Sequence, residues 1–513
     1  MGAGGHGPPE GGALRTTLPE ATTNMLKAAC GPGCLSLAYS ASSAGWLLSS
    51  VLIVLLQCCC VYNMWLLIAL KQRLEVVGAG ITSYADCAAH VFDQRSRRLV
   101  DAFVTLQQLG VCCVYFGFVA SNVDAVLINV GLEASETRWT LVRLMIAAYF
   151  VLAPLALIRH WKRLAPLSLV ANVCVLSGIA VVLVFTVNSL LRDGVATQLQ
   201  TTPKGAITHG LPLLYGTVIY SFEMVCNVLP IENSMLDRSK ATRMLLTAMG
   251  IYCAVMLLVA LLPVVVFGTI TEGSLTAELG RRFKDSSDQP WIVLMNLLVT
   301  VAVILTYPVQ FYPAIAVIEG AFGVGPGEGG ASRQREADGG SGAGLSDDLL
   351  TKLLDSVPDV QDQADTAQRT LGSAGQPAPP RMRGSVQESE PNAGGATGSS
   401  SSGSTAGAQS HQSVLCKRML LRCALVACTL LVAAAIPKLG LVISLFGSFN
   451  APLLAMILPS LMAIKCDSGA IEGVLAQGSV GAGTVVHCLI VILGIVGGVA
   501  GSTNAIVAIV RDM

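Results

Sequence analysis

The chain has 513 residues, 53% of them hydrophobic and only 12% charged, against about 25% charged in an ordinary soluble domain. Its 32 basic and 32 acidic residues cancel, so there is no basic footprint and no nucleic-acid partner is expected. Apolar runs of roughly 20 residues between short polar breaks exclude a water-soluble domain and a membrane β-barrel, and predict an all-α polytopic membrane protein whose solvent is the lipid bilayer.

In chain order, residues 1–21 are rich in Gly and Pro without an apolar core. They read as a disordered cytosolic N-terminus rather than a cleavable signal peptide. About eleven spans follow, at 22–43, 46–70, 99–128, 140–158, 166–191, 211–229, 244–267, 291–318, 416–436, 439–464 and 485–510. The first carries Lys27 and is interrupted by Gly31-Pro32-Gly33, so a count of ten is the alternative. Residues 22–320 thus hold transmembrane helices 1–8 and residues 416–513 hold helices 9–11.

Between them, 321–415 turns to Gly, Ser, Ala, Gln and Pro with almost no aromatic residues, and is expected to be a disordered cytosolic insertion. Inside it Leu345, Leu349, Leu350, Leu353, Leu354 and Val357 recur at helical spacing before Pro358. That pattern fits either a docking helix for a cytosolic partner over 345–357 or, as the plainer reading, a transient helix in a tolerated insertion.

Basic residues in short loops resist translocation. Lys71, Arg73, Arg95, Arg97 and Arg98, then Arg159, Lys162 and Arg163, then Arg238, Lys240 and Arg243 fall on alternating sides that match, which places them and the amino terminus in the cytosol. The loop with Glu272, Arg281, Arg282 and Asp285 is expected outside although it also carries basic residues. Most of the 16 cysteines lie inside apolar runs, reading as small core residues rather than a disulfide framework or a metal site. No cofactor or metal is expected.

Gly31-Pro32-Gly33 breaks the helical hydrogen-bond ladder in mid-span, because proline lacks a donor and glycine tolerates open dihedrals. Irregular backbone at that depth persists only where it is buried in protein or faces water. A half-helix starting near Cys34 would present free amides and a positive dipole end to a carboxylate, while the plain alternative is a packing kink. Five spans later, and so running the other way, come Gly216, Thr217, Tyr220, Ser221, Phe222 and Glu223. Two discontinuous helices in these positions are what an inverted-repeat transporter sets face to face at the midplane.

Glu223 is the sharpest single residue, since a carboxylate in hydrocarbon must be paired or protonated part of the time. It reads either as a proton carrier or as a neutral donor to unwound backbone. Weaker candidates are Thr306, Tyr307, Gln310, Phe311 and Tyr312 near Pro313, with Tyr115, Ser444, Gly447 and Ser448, each as readily packing as ligand. His209 and His487 lie near span ends and read first as interfacial groups.

Four stretches carry a resemblance to a known family: Leu99 to Phe103 with Gln108 to Phe116; Gly216 to Glu223 leading to Val228 through Asn233; Thr306-Tyr307 with Gln310 to Tyr312; and Ile436-Pro437 leading to Leu441 through Ser448. In them the chain resembles the amino acid/auxin permease family, and within it the proton-coupled amino-acid transporters of solute carrier family 36. The resemblance implies a LeuT-type 5+5 inverted repeat plus one extra helix, with the first and sixth helices lining the substrate site. It also implies small zwitterionic amino acids such as glycine, alanine or proline as substrates. Asn24 stands where animal members carry His, and Ala29 where sodium-coupled cousins place an Asn oxygen, which argues against sodium.

The expected function is secondary active transport of small neutral amino acids by alternating access, coupled to H+, at the plasma membrane or an endolysosomal or vacuolar membrane. The expected substrate-binding set is Cys30, Gly31, Pro32, Gly33, Tyr115, Tyr220, Ser221, Phe222 and Tyr307, with Glu223 for proton coupling. The alternative is an amino-acid sensor signalling through the insertion. An enzyme is not expected, since the spans hold no nucleophile–base pair.

Overall fold

The computed structural model describes residues 16–29, 31–76, 81–132, 138–158, 161–193, 208–222, 224–284, 286–322, 403–436, 438–467 and 482–512. By contacts the chain divides into two units, Met1–Pro326 with Cys416–Met513, and Gly327–Leu415. In the second, the described residues, from Gly403 on, are helical. The leucine pattern of 345–357 and most of the expected insertion lie outside the described residues, as do 1–15 of the N-terminus.

Among the described residues the regular structure is helical, apart from one isolated bridge between Thr16 and Met235. The helices are α1 (Leu18–Ala29), α2 (Pro32–Ala44), α3 (Trp46–Val76), α4 (Tyr84–Val91), α5 (Gln94–Asn129), α6 (Arg138–Ala156), α7 (Trp161–Asp193), α8 (Leu211–Phe222) and α9 (Val225–Ser234). They continue as α10 (Ala241–Phe267), α11 (Leu275–Arg282), α12 (Gln289–Ala321), α13 (Gly403–Ala435), α14 (Leu439–Phe449), α15 (Leu458–Asp467) and α16 (Ala482–Asp512). Among the described residues, ten helical segments are long and apolar enough to cross a membrane, α8 with α9 and α14 with α15 each counting as one. The pair α1 and α2, each half too short to span alone, covers the stretch read as the first span.

Side chains such as Val173, Leu176 and Val184 on α7, and Leu489, Ile492 and Val496 on α16, stand exposed in rows. Contiguous apolar surface of that extent is untenable in water and ordinary against lipid: this is a multi-pass membrane protein. Inside hydrocarbon, helices gain nothing by hiding leucine from lipid, so association rests on close backbone approach through small residues. The packing of α8, α14 and α16 is of this kind. A side chain on Gly447 would fall on the Gly216 carbonyl oxygen, and one on Gly501 would fall on Ser448. Gly447→Ala is therefore expected to cost about 1–3 kcal/mol through overpacking, read as a lower midpoint of thermal unfolding in detergent.

Two short helices, α4 and α11, were not anticipated, because neither is long or apolar enough to register as a span. Both are held by local polar chemistry. Ser83 and Asp86 form a reciprocal capping box at the start of α4. Glu278 in α11 accepts from the backbone of Thr271 at 3.0 Å and Glu272 at 2.9 Å. In the loop read as external despite its basic residues, Arg281 pairs with Asp124 at 2.6 Å and Glu272 at 2.9 Å. Paired in this way, that cation contributes little net charge to the loop. Helix α13 begins at Gly403, ahead of the apolar run expected from 416.

Candidate functional site

Both expected discontinuities sit beside one cavity. Helix α1 ends at Ala29 and α2 starts at Pro32, with Gly31 as its N-terminal cap in an extended conformation and no side chain capping the end. Helix α8 ends at Phe222, and α9 starts at Val225 behind Met224, again without a side-chain cap. Of the amides that open the two half-helices, Cys34 N–H turns back to Gly31 O at 3.2 Å and Asn227 N–H to Met224 O at 3.0 Å. The other first-turn donors have no intrahelical acceptor.

The breaks are in contact with each other. A side chain on Gly33 would meet the Tyr220 ring at 2.9 Å and Ser221 Oγ at 3.0 Å, whereas one on Gly31 would enter open space. Thr16, just before α1, accepts from Leu236 N–H at 2.9 Å and donates to Ser234 O at 2.7 Å, tying the entry of α1 to the exit of α9. The Tyr252 hydroxyl of α10 lies 2.9 Å from both the Ala29 and the Ser221 carbonyl oxygens. One phenolic group thus reaches the C-terminal ends of both α1 and α8, and its ring meets Phe222 edge-on at 5.3 Å.

The cavity measures ≈ 60 Å³. Gly31, Pro32, Gly33, Tyr115, Tyr220 and Ser221 of the expected set line it, together with Ala28, Ala29, Cys34, Gln107, Gln108, Val111, Met224, Cys226, Asn227, Tyr252 and Gln310. No acidic or basic side chain is among these lining residues. Two N-termini with positive dipole ends and two C-termini with negative ones meet around a hole whose described lining carries no charged side chain, which suits a small ligand carrying both signs.

Not every expected residue reaches the cavity. Phe222 is fully buried and turns to Tyr252 instead. Tyr307 sits behind the wall, its hydroxyl 3.3 Å from Thr429 Oγ1 and its ring 6.3 Å from that of Tyr115. Thr306 bonds the Ala302 carbonyl of its own helix at 2.7 Å, and Phe311 stacks on Tyr307. Ser444, Gly447 and Ser448 serve the α8–α14 contact. His487, read as interfacial, is buried beside Tyr62, whose hydroxyl lies 3.0 Å from Nε2, while His209 is exposed. Cys30 and Glu223 lie outside the described residues.

The residues that reasoning from sequence passed over are Gln107, Gln108, Asn227 and Tyr252. The two adjacent carboxamides in an apolar span were the available signal, since such groups are rarely placed in a membrane without a task. Tyr252, a single tyrosine in a long apolar run, offered none. Among the described residues no three His, Cys, Asp or Glu side chains cluster so as to hold a metal.

A family model described as transmembrane amino acid transporter protein matches residues 15–506. The amino acid transporter AVT3C of Arabidopsis thaliana is 28% identical over 342 residues, 63% of this chain and 73% of that protein. Vacuolar amino acid transporter 4 of Saccharomyces cerevisiae is 25% identical over 303 residues, 58% of this chain but only 40% of the yeast protein. The crystal structure of MhsT in complex with L-phenylalanine superposes with a TM-score of 0.44 at 10% identity, covering 94% of this chain and 98% of the other.

Proposed function

The chain belongs to the transmembrane amino acid transporter family, and from that premise we propose that it is a proton-coupled secondary transporter carrying small neutral amino acids by alternating access. The observation that carries this reading is the cavity of ≈ 60 Å³ that the ends of two interrupted helices share, without an ionised side chain on its described wall. A net-neutral zwitterion leaves no uncompensated charge there, whereas an acidic or basic amino acid would. The free amides opening α2 receive the carboxylate. The carbonyls closing α1 and α8 receive the ammonium, whose three donors need acceptors in place of water.

Glu223, between α8 and α9 in sequence, is the proposed proton carrier, because a carboxyl group at that position along a span is rarely there for structure alone. An acidic compartment bounded by a vacuolar or endolysosomal membrane would supply the protons, in keeping with the vacuolar name of the yeast relative. In this reading the amino terminus lies on the cytosolic side, in line with the basic loops.

Purified protein in liposomes tests the reading directly. Alanine should accumulate when a pH gradient is imposed and respond little to a sodium gradient. Glu223→Gln is expected to remove the pH-gradient dependence while leaving exchange of substrate across the membrane. Uptake no faster than in protein-free liposomes would sink the transporter reading, and a Glu223→Gln variant that still follows the gradient would sink the coupling assignment.

A further inference from the structure

The cavity holds polar capacity that a bare zwitterion leaves unused. With the carboxylate and ammonium met by helix ends, the remaining polar wall includes the carboxamides Gln107, Gln108 and Gln310 from α5 and α12, beside Asn227 of α9 and the hydroxyls of Tyr115, Tyr220 and Ser221. Two of the three glutamines are engaged. Gln107 Oε1 accepts from Asn450 Nδ2 at 2.8 Å, and the Gln310 side chain hydrogen-bonds to the Tyr115 hydroxyl.

Gln108 differs. It is 8% exposed, it lines the cavity, and its carboxamide oxygen is buried with no hydrogen-bond partner in the protein. A buried polar atom left unpaired is costly, and native structures keep few of them without a reason. On the wall of a ligand cavity, the reason at hand is a ligand that completes the bond. The two ends of a carboxamide exchange on a half-turn, so the completing group must serve either end. A hydroxyl donates and accepts, and a methyl does neither. A cavity of ≈ 60 Å³ favours a short side chain over a long one.

We infer that this site, taken as the amino-acid site proposed above, selects substrates whose short side chain ends in a hydroxyl, serine and threonine, over their apolar counterparts alanine and valine, with Gln108 as the specificity-determining residue. The selection follows from the unequal cost of the two failures. Alanine leaves the Gln108 carboxamide oxygen without a partner, whereas the serine hydroxyl supplies one, and sites built around a substrate hydroxyl reject analogues lacking it far more strongly than apolar pockets reject an added one.

The test is the ratio of initial uptake rates for serine over alanine, and threonine over valine, by the purified full-length protein in liposomes. Both ratios are expected at about tenfold or more, and Gln108→Leu is expected to bring both to within about twofold of unity by slowing hydroxylated substrates the most. Wild-type ratios near unity overturn the inference without recourse to any variant, as do undiminished ratios in Gln108→Leu. If that variant does not fold, Gln108→Met, closer to it in length, is read in the same way, and the wild-type ratios decide alone if both fail. Uptake of alanine and serine at equal rates overturns the selectivity only; absence of uptake for every amino acid overturns the transporter reading beneath it.

Discussion

Lys71→Met is expected to destabilise the protein by about 3–5 kcal/mol, the usual consequence of stranding one partner of a buried ion pair. Lys71 and Glu232 are both fully buried and in direct contact between α3 and α9. Around them Glu75 lies 3.2 Å from Lys71 and 3.1 Å from Arg238, and Gln72 Nε2 donates to the second Glu232 oxygen at 3.2 Å. Removing the ammonium leaves the Glu232 carboxylate with Gln72 as its remaining side-chain partner in this network. Glu232→Leu alone should also destabilise, but by less, because Lys71 keeps Glu75 at 3.2 Å. Together, Lys71→Met and Glu232→Leu should recover most of the loss, because a well-packed apolar pair is often neutral or better than the ion pair it replaces, and Glu75 keeps Arg238. Thermal unfolding of the three variants in one detergent checks this; single variants that melt with the wild type, or a double variant worse than either, would count against a coupled pair.

Tyr252→Phe is expected to lower transport by about ten- to a hundredfold while leaving the fold in place. The ring and its edge-on contact with Phe222 remain, so packing is conserved. What disappears is the hydroxyl that serves the Ala29 and Ser221 carbonyls. The two carbonyls share its single proton, and a buried acceptor left unpaired costs about 1–3 kcal/mol, where 1.4 kcal/mol is about a factor of ten. These carbonyls belong to the ends of α1 and α8, so the penalty falls on the geometry of the cavity. Uptake measured beside the melting midpoint separates the two effects: unchanged uptake contradicts the positioning role, and a collapsed midpoint would show that the hydroxyl serves folding instead.

Much of the architecture was legible residue by residue. The expected span of 46–70 is found inside α3, 99–128 inside α5 and 291–318 inside α12, because lipid demands continuous apolar length and intrahelical hydrogen bonding. The gap between α1 and α2 falls at Gly31-Pro32 for a chemical reason visible in the letters. The gap at 223–224 has no proline or glycine within it, and only its place five spans on suggested it. Phe222 and Tyr307 lie on the helices expected to form the site but face elsewhere, since apolar spans carry little polar pattern from which to read rotation about the helix axis. Gln108, unlike them, faces the hole.

Taken alone, then, the order of residues determined the solvent, the approximate limits of several spans, and where the first helix must unwind, because these depend on the local balance of hydration, chain length and backbone donors. Only the tertiary structure decided which side chains share the cavity and which distant charges find each other, as Lys71 finds Glu232 or Arg422 finds Glu319 at 2.7 Å. Such pairings follow from the rotation and contact of helices far apart in the chain, set by glycine-sized gaps between them, and no short stretch of sequence contains that information.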